Sequence, residues 1–453
     1  MLMNIDQLVE KYRVAAPRYT SYPTVPYWED KTFNEQKWSS TLLQSFQESP
    51  EGISLYIHLP FCESLCTYCG CNTRITKNHG VEIPYINAVL KEWSLYLAKL
   101  GSIPTVMEIH LGGGTPTFFS PQNLEMLICG ILDQAELHEE AKFSFEAHPG
   151  NTSEDHLKTL FNLGFRRLSL GIQDFDLEVQ KIINRIQTVE SVETTTNLAR
   201  EIGYHSINYD LIYGLPLQTL EGLSATIKEV IRLKPDRIAY YSYAHTPWLK
   251  PGQRRYTEAH LPDGELKKKL YEMGREMLSN AGYLEIGTDH FTLPTDSLYE
   301  AELEGRLHRN FMGYTEQPCR ILIGLGVSAI SDCWTGFAQN VKTVEEYMNI
   351  VKEGRLPVFK GHILTETDLV IRKHILDIMC KGSTEWSTEE ISPEIAAAII
   401  RLKPLEGDGL VLLSDESLEV TTKGKRFLRN ICMAFDVRLW DRKSSEQVFS
   451  IAD

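Results

Sequence analysis

The sequence predicts an α/β protein: a partial (β/α)6-type barrel with an N-terminal arm and a mostly helical C-terminal domain. Three observations predict it. Between about residues 53 and 245, short apolar β-like runs alternate with amphipathic helical patterns, the order that builds a parallel sheet with helices outside. Polar residues and glycines crowd the C-terminal end of each run, where (β/α) barrels gather their chemistry. Beyond about residue 360 the periodicity becomes mostly helical.

The elements follow in order. Six strands are expected at Ile53–His58, Val106–Leu111, Phe143–Ala147, Arg167–Ile172, Ser206–Ile212 and Arg237–Tyr243. Between the first two, Ile86, Val89, Leu90, Trp93, Leu97 and Leu100 fall on one helical stripe. A second helix, Val192–Ile202, ends at Gly203, a C-cap signal. A third carries Leu220, Leu223, Ile227, Val230 and Ile231, with Thr219 as N-cap and Pro235 as stop. The strand ends then present the cysteine loop, Gly112–Thr117, Glu146 and His148, Gly171–Asp174, Asp210–Pro216, and Tyr243–His245. Residues 251–350 read as mixed structure. The run Gly324–Ile330 lacks the G-x-G-x-x-G spacing of a dinucleotide site. Near the C-terminus, Leu410–Leu413 and Leu418–Val420 flank Asp415-Glu416 like a hairpin, and Thr421–Asp436 is expected as helix. The expected divisions are an arm over the site at 1–50, a catalytic barrel with an extension at 51–350, and a capping domain at 351–453.

Composition excludes several classes. With 453 residues, 42% of them hydrophobic, the chain can bury a large core. Its net charge of −15 argues against nucleic acid as a partner, which needs a basic footprint. No apolar run reaches membrane-spanning length. Met1–Val9 carries no basic apolar leader. A cytoplasmic protein with reduced thiols is expected, although it has nine cysteines.

Three of those cysteines stand together. Cys62, Cys66 and Cys69, spaced C-x3-C-x2-C, place three thiolates in one loop after the first strand. Iron–sulfur clusters are usually held by four thiolates, so three leave one iron of a cubane open to an outside ligand. A structural zinc using His58 or Cys71 as fourth donor is the competing reading, but such sites favour two ligand pairs separated by a longer span. A disulfide is disfavoured by the compartment.

The wider pattern resembles the oxygen-independent coproporphyrinogen III oxidase family of radical S-adenosylmethionine (SAM) enzymes. The resemblance spans nearly the whole chain. It rests on Pro17–Thr24, Tyr56–Cys62, Cys69-Gly70-Cys71-Asn72, Gly112–Thr117, Gly171–Phe175, Asp210–Pro216, His308–Phe311, Gly326–Ser331 and Arg429–Cys432. It implies that Cys62, Cys66 and Cys69 ligate a [4Fe–4S] cluster, with Cys71 off it. It implies two molecules of SAM: one touched by Tyr56, Gly113, Glu146 and Ile330, the other by Tyr68, Gly114, Thr115, Gln173, Arg185, Asp210 and Ala244. Tyr68 departs from relatives that carry Phe, though the aromatic face is kept. The resemblance further implies a 5′-deoxyadenosyl radical that takes hydrogen from the β-carbon of substrate propionates, each of which then loses carbon dioxide and one electron and remains as a vinyl group. Coproporphyrinogen III would thereby become protoporphyrinogen IX, with no acid–base pair and with a low-potential electron donor such as flavodoxin or ferredoxin. A monomer is expected. Arg18 and Arg309 are candidate clamps for the substrate carboxylates, since guanidinium binds carboxylate bidentately.

Two other readings compete. Relatives of this family include radical methyltransferases that open haem and a haem-chaperone branch. The latter typically lacks the Cys-Gly-Cys form and the N-terminal arm, both present here. A metal-binding regulator with a C-terminal winged helix would need a basic recognition helix, for which Thr422–Phe427 is the nearest candidate.

Overall fold

The computed structural model describes residues 3–28, 31–316, 319–387, 391–441 and 449. These fall into two compact units. The larger holds residues 31–283 and 319–363, the smaller residues 3–28, 284–316 and 364–441. This division crosses the boundaries expected from sequence. Residues 35–48 form a helix of the larger unit, α1 (Glu35–Glu48), anchored by the buried Trp38, whose indole N–H reaches Tyr96 Oη at 3.3 Å. Residues 284–316 join the smaller unit, where Ile286, Leu298, Leu307 and Tyr314 enter its core.

Beside a two-stranded parallel pair of Phe61–Cys62 with Arg74–Ile75, the larger unit is built on one main sheet. Its strands are β1 (Ile53–Leu59), β2 (Thr105–Gly113), β3 (Glu136–Ala147), β4 (Phe165–Gln173), β5 (Ser206–Tyr213), β6 (Arg237–Ser242), β7 (Leu322–Leu325), β8 (Ile330–Asp332), β9 (Gly336–Asn340) and β10 (Val358–Ile363). Their order is β10-β9-β8-β7-β1-β2-β3-β4-β5-β6. Strands β1 to β6 run parallel in sequence order. Strand β7 pairs parallel to the far side of β1, and β8 to β10 return antiparallel. The glycine run at 324–330, unassigned from sequence, is thus the turn from β7 to β8.

Helices link the parallel strands: α2 (Glu82–Leu100), α3 (Pro121–Leu132), α4 (Glu154–Asn162), α5 (Leu177–Ile182), α6 (Val189–Ile202) and α7 (Leu220–Leu233). The end signals act as read. Gly203 closes α6 with φ +118°, and Thr219 caps α7 by accepting from Gly222 N–H. Successive strand residues face opposite sides, and the two sides differ. Leu55 and Ile57, Ile109 and Leu111, Phe143 and Phe145, and Leu168 and Leu170 are all buried apolar side chains. The alternate positions are Tyr56 and His58, His110 and Gly112, Ser144 and Glu146, Ser169 and Gly171, and Asn208 and Asp210. One face is therefore an apolar core and the other a polar floor.

The smaller unit packs helices Glu366–Lys381 and Pro393–Gly407 around a core that includes Leu8, Tyr22, Ile375, Leu402 and Phe435. The expected hairpin is present at Val411–Leu413 and Ser417–Val420. A third strand, Ser383–Glu385, which the sequence reading missed, pairs with it. The expected helix from Thr421 begins later: residues Gly424–Phe427 form a 3-10 turn before Leu428–Met433. Gly424 lies so close to the Leu410 carbonyl that a Cβ there would overlap it. The winged-helix reading loses its basic helix here, because Lys423 is turned inward to donate to Met3 O and Asp408 O. Among the described residues, no helix is long and apolar enough to cross a membrane.

Candidate active site around the cysteine loop

The C-terminal ends of the parallel strands surround a cleft of about 550 Å³. Its wall includes Cys62, Cys66 and Cys69, which follow β1 directly. Among the described residues, no three His, Cys, Asp or Glu side chains converge on a single ion position. The three thiols all belong to the lining of this one cleft.

Each thiol has its own surroundings. Burial pushes Cys62 up to about 11, although Thr115 Oγ1 lies 3.3 Å from its sulfur. Burial also raises Cys66, against the opposing pull of Arg185, whose Nη1 is 3.8 Å from that sulfur. Cys69 is lowered, chiefly by hydrogen bonding from the Cys71 thiol and also by its backbone N–H, 3.4 Å away. One ligand is thus ready as thiolate, and two must give up protons when metal binds.

Glycines set the shape of the opposite wall. Gly113 has φ +112°, and a Cβ there would stand 2.6 Å from the His58 ring. At Gly114 a Cβ would stand 2.6 Å from the Pro60 carbonyl carbon. Both positions need a residue without a side chain for backbone and ring to approach this closely.

The polar floor is wired across strands. His110 pairs in register with Tyr56 on one side and Ser144 on the other. Its ring stacks on Tyr56, and its Nδ1 lies 2.8 Å from Ser144 Oγ. Its Nε2 lies 3.5 Å from Glu146 Oε1, and Gly113 N–H donates to Glu146 Oε2 at 3.2 Å. Burial alone would raise the Glu146 carboxyl; His110 and the Gly113 amide outweigh it and hold it low. A carboxylate lining the cleft thus remains an acceptor for a ligand's hydroxyl or amino group. Burial lowers His58. Its Nδ1 accepts from Tyr56 O–H at 3.0 Å while its Nε2–H donates to Asn72 O at 2.8 Å. Further along, Asp210 accepts from Ser169 Oγ at 3.1 Å and from Asn208 Nδ2 at 2.8 Å. Arg185 Nη2 donates to Gly171 O at 2.6 Å.

The cleft brings together Cys62, Cys66, Cys69, Tyr68, Gly113, Gly114, Thr115, Glu146, Gln173, Arg185 and Asp210. Tyr56, Ala244 and Ile330 are not in its lining. Tyr56 stands behind Glu146, within 3.0 Å of where a Gly112 Cβ would be. The Ala244 carbonyl accepts from Gln253, and Ile330 opens β8. Arg18 and Arg309 belong to the smaller unit. Arg309 is buried there, 3.7 Å from Asp289 and over the Tyr314 ring. Burial would raise Asp289, but Arg309, His290 and Arg18 outweigh it and hold it well below the usual carboxylate range. The structure thus gives Arg309 an internal partner that the sequence reading had not foreseen. That reading also missed Ser169, Asn184, Ile186 and Tyr241 in the lining. Ser169 had a usable signal, a polar residue between the buried Leu168 and Leu170.

The cleft fits an iron–sulfur centre with a polar nucleotide-like ligand. Three thiols line it, the glycines leave room, and one buried polar atom of its lining, Arg185 Nε, has no hydrogen-bond partner among the described residues.

Comparison with known proteins agrees. Residues 56–230 match the Radical SAM superfamily. The chain is 38% identical to the oxygen-independent coproporphyrinogen III oxidase of Synechocystis sp., over 98% of this chain and 97% of that protein. The enzyme of the same name from Escherichia coli is 38% identical over 97% of this chain and 96% of its own. A solved structure described as coproporphyrinogen III oxidase (HemN) from Escherichia coli, a radical SAM enzyme, superposes with a TM-score of 0.89 at 37% identity, covering 96% of this chain and all of that one. The chain belongs to the oxygen-independent coproporphyrinogen III oxidase family of radical SAM enzymes.

Proposed function

We propose that this protein decarboxylates two propionate side chains of coproporphyrinogen III to vinyl groups without oxygen, giving protoporphyrinogen IX for haem synthesis. The observation that carries the reading is the trio of thiols on one wall of a polar, glycine-lined cleft, in a chain related to these oxidases over almost its full length. For each propionate the balance is the loss of one hydrogen atom from the β-carbon, one electron to a one-electron acceptor, and carbon dioxide.

The family brings a [4Fe–4S] cluster and SAM, which when bound supply the hydrogen-abstracting carbon radical. The rest is the work of the chain. Cys62, Cys66 and Cys69 hold the cluster, and Arg185 offsets the thiolate of Cys66. Gly113, Gly114 and Thr115 let backbone approach the nucleotide closely. Glu146 and Asp210 accept hydrogen bonds from its hydroxyl and amino groups, while Gln173 and the Tyr68 ring complete the pocket. Tyr56, Ala244 and Ile330 act at its margin, and two SAM molecules are bound in the proposed reading. Arg18 and Arg309 are proposed as partners of the substrate carboxylates. The electron comes from a low-potential carrier of the flavodoxin or ferredoxin type. The protein acts in the cytoplasm as a monomer.

The test is anaerobic turnover of the reconstituted protein with coproporphyrinogen III, SAM and a reductant, run beside the same mixture with haem. The expected result is a divinyl product with two molecules of carbon dioxide per porphyrinogen. Methylated or ring-opened haem, with coproporphyrinogen untouched, would overturn the reading.

A further inference from the structure

The cysteine loop has two sides. One lines the cleft. The other rests on the segment 246–256, which follows β6. Gln253 Nε2 donates to Tyr68 O at 3.2 Å, and Lys250 Nζ donates to Cys71 O at 3.2 Å. A Cβ on Gly252 would stand 3.3 Å from Thr67 O and 3.6 Å from the Leu65 side chain. This segment therefore covers the cysteine loop around Thr67 and Tyr68, both of which it contacts.

Its outer surface is unusual for a chain of net charge −15. Trp248 is 60% exposed, Leu249 is 66% exposed, and Leu65 of the cysteine loop is 41% exposed. One exposed leucine is ordinary, but an indole and two leucines around a single loop form a patch. Lys250, Arg254 and Arg255 lie within the same short segment, and both arginines are exposed. Arg254 Nε donates to Pro247 O at 2.9 Å, which holds its guanidinium beside Trp248. The nearby acids are Glu258, just beyond the segment, and Glu63 on the loop, the latter 3.6 Å from His79. The result is an apolar centre with a cationic rim. Tryptophan and arginine are the residue types that dominate protein–protein hot spots.

We propose that the outer face of this segment, built from Trp248, Leu249, Arg254 and Arg255 and bordered by Leu65 at the rim of the cleft, docks an acidic, low-potential one-electron carrier protein. The inference rests on the radical reading of the site given above. With the inner side of the loop given to nucleotide and substrate, the outer side is the short route to the thiols. In the transfer itself one electron leaves the reduced carrier and enters the iron–sulfur centre. The carrier is oxidised by one electron, and no bond or proton moves. The cationic rim steers an acidic partner, and the apolar centre excludes water once it has docked.

The experiment uses reconstituted full-length protein, coproporphyrinogen III and SAM, with either dithionite or reduced flavodoxin as electron source. The variants are the pair R254E/R255E and, separately, W248A/L249A. With dithionite, both are expected within about twofold of wild type. With flavodoxin, R254E/R255E is expected to lose about tenfold or more in kcat/KM for the carrier, W248A/L249A a similar amount, and the charge-reversed pair to lose the salt sensitivity shown by wild type. Carrier-driven rates unchanged in both variants, or equal loss with both reductants, would overturn the docking face. Failure of wild type with dithionite would instead overturn the reading of the site on which it depends.

Discussion

Glu92 is fully buried on α2, far from any solvent, and its carboxylate gathers three donors. Gly326 N–H donates to it at 2.8 Å, Tyr347 O–H at 2.6 Å and Asn340 Nδ2 at 2.7 Å. Asn340 also donates to Gly326 O, while Tyr85 O–H donates to His58 O and accepts from Val327 N–H. The network pins the Gly326–Ala329 turn to the end of β1, just ahead of Cys62. Gly326 has φ +96°, and a Cβ there would stand 2.6 Å from His58 O. Glu92→Ala leaves three buried donors unmet, each at about 1–3 kcal/mol, so a loss of about 4 kcal/mol is expected after partial relaxation. Glu92→Gln keeps the shape but turns an amide N–H toward Asn340, for a loss of about 2 kcal/mol.

The pH dependence follows with its sign. Burial holds Glu92 up at about 7 against an ordinary 4.5, despite its donors. Below 4.5 both the folded and unfolded chains carry the proton, and the contribution is complete. As pH rises through about 7 it is lost, because the unfolded chain ionises first; the full span is about 3 kcal/mol. Glutamine does not titrate. From urea unfolding, the stability of wild type should therefore fall relative to that of E92Q by about 2–3 kcal/mol between pH 5 and pH 8. The KM for SAM should rise in E92A while turnover at saturating SAM is held. A stability difference that stays flat or widens with pH, or an E92A protein as stable as wild type, would refute the reasoning.

Three further outcomes are expected. Serine at Cys62, Cys66 or Cys69 should each abolish bound iron after anaerobic reconstitution, whereas Cys71→Ser should retain it; iron and sulfide analysis checks this. Gly113→Ala should weaken SAM binding at least tenfold, since its Cβ would press on the His58 ring at a φ that L residues rarely adopt, and isothermal titration reads the loss. Because Cys62 stays protonated up to about 11 and Cys66 is also raised, cluster assembly should release protons and tighten as pH climbs from 7 to 9. Assembly that weakens over that range would contradict the thiol environments described.

Much of this was legible in the residues. The six parallel strands, the caps at Gly203 and Thr219, and the cysteine loop were readable because each rests on local spacing or turn chemistry. The position of β7 beside β1 was not, since Leu322–Leu325 pairs with residues some 270 positions earlier in the chain and no local pattern encodes a partner that distant. The division of the first 50 residues escaped for the same reason: the burial of Trp38 against Tyr96 is a tertiary fact. The polar floor was half visible. Strand ends were read for function, but the period-two row of His110, Ser144, Ser169 and Asn208 was passed over, although polar residues alternating through parallel strands run against their usual apolar character. Arg309 shows a different gap: its approach to Asp289, 3.7 Å away in the same unit, is a tertiary pairing that its local motif does not encode.

The most direct test is electron paramagnetic resonance of the anaerobically reconstituted, reduced protein, recorded with and without SAM beside a count of iron and sulfide. Four irons and four sulfides per chain, with a signal that changes when SAM is added, are predicted for a cluster held by Cys62, Cys66 and Cys69 with one iron open. A single zinc without labile sulfide, or a cluster signal indifferent to SAM, would contradict the account.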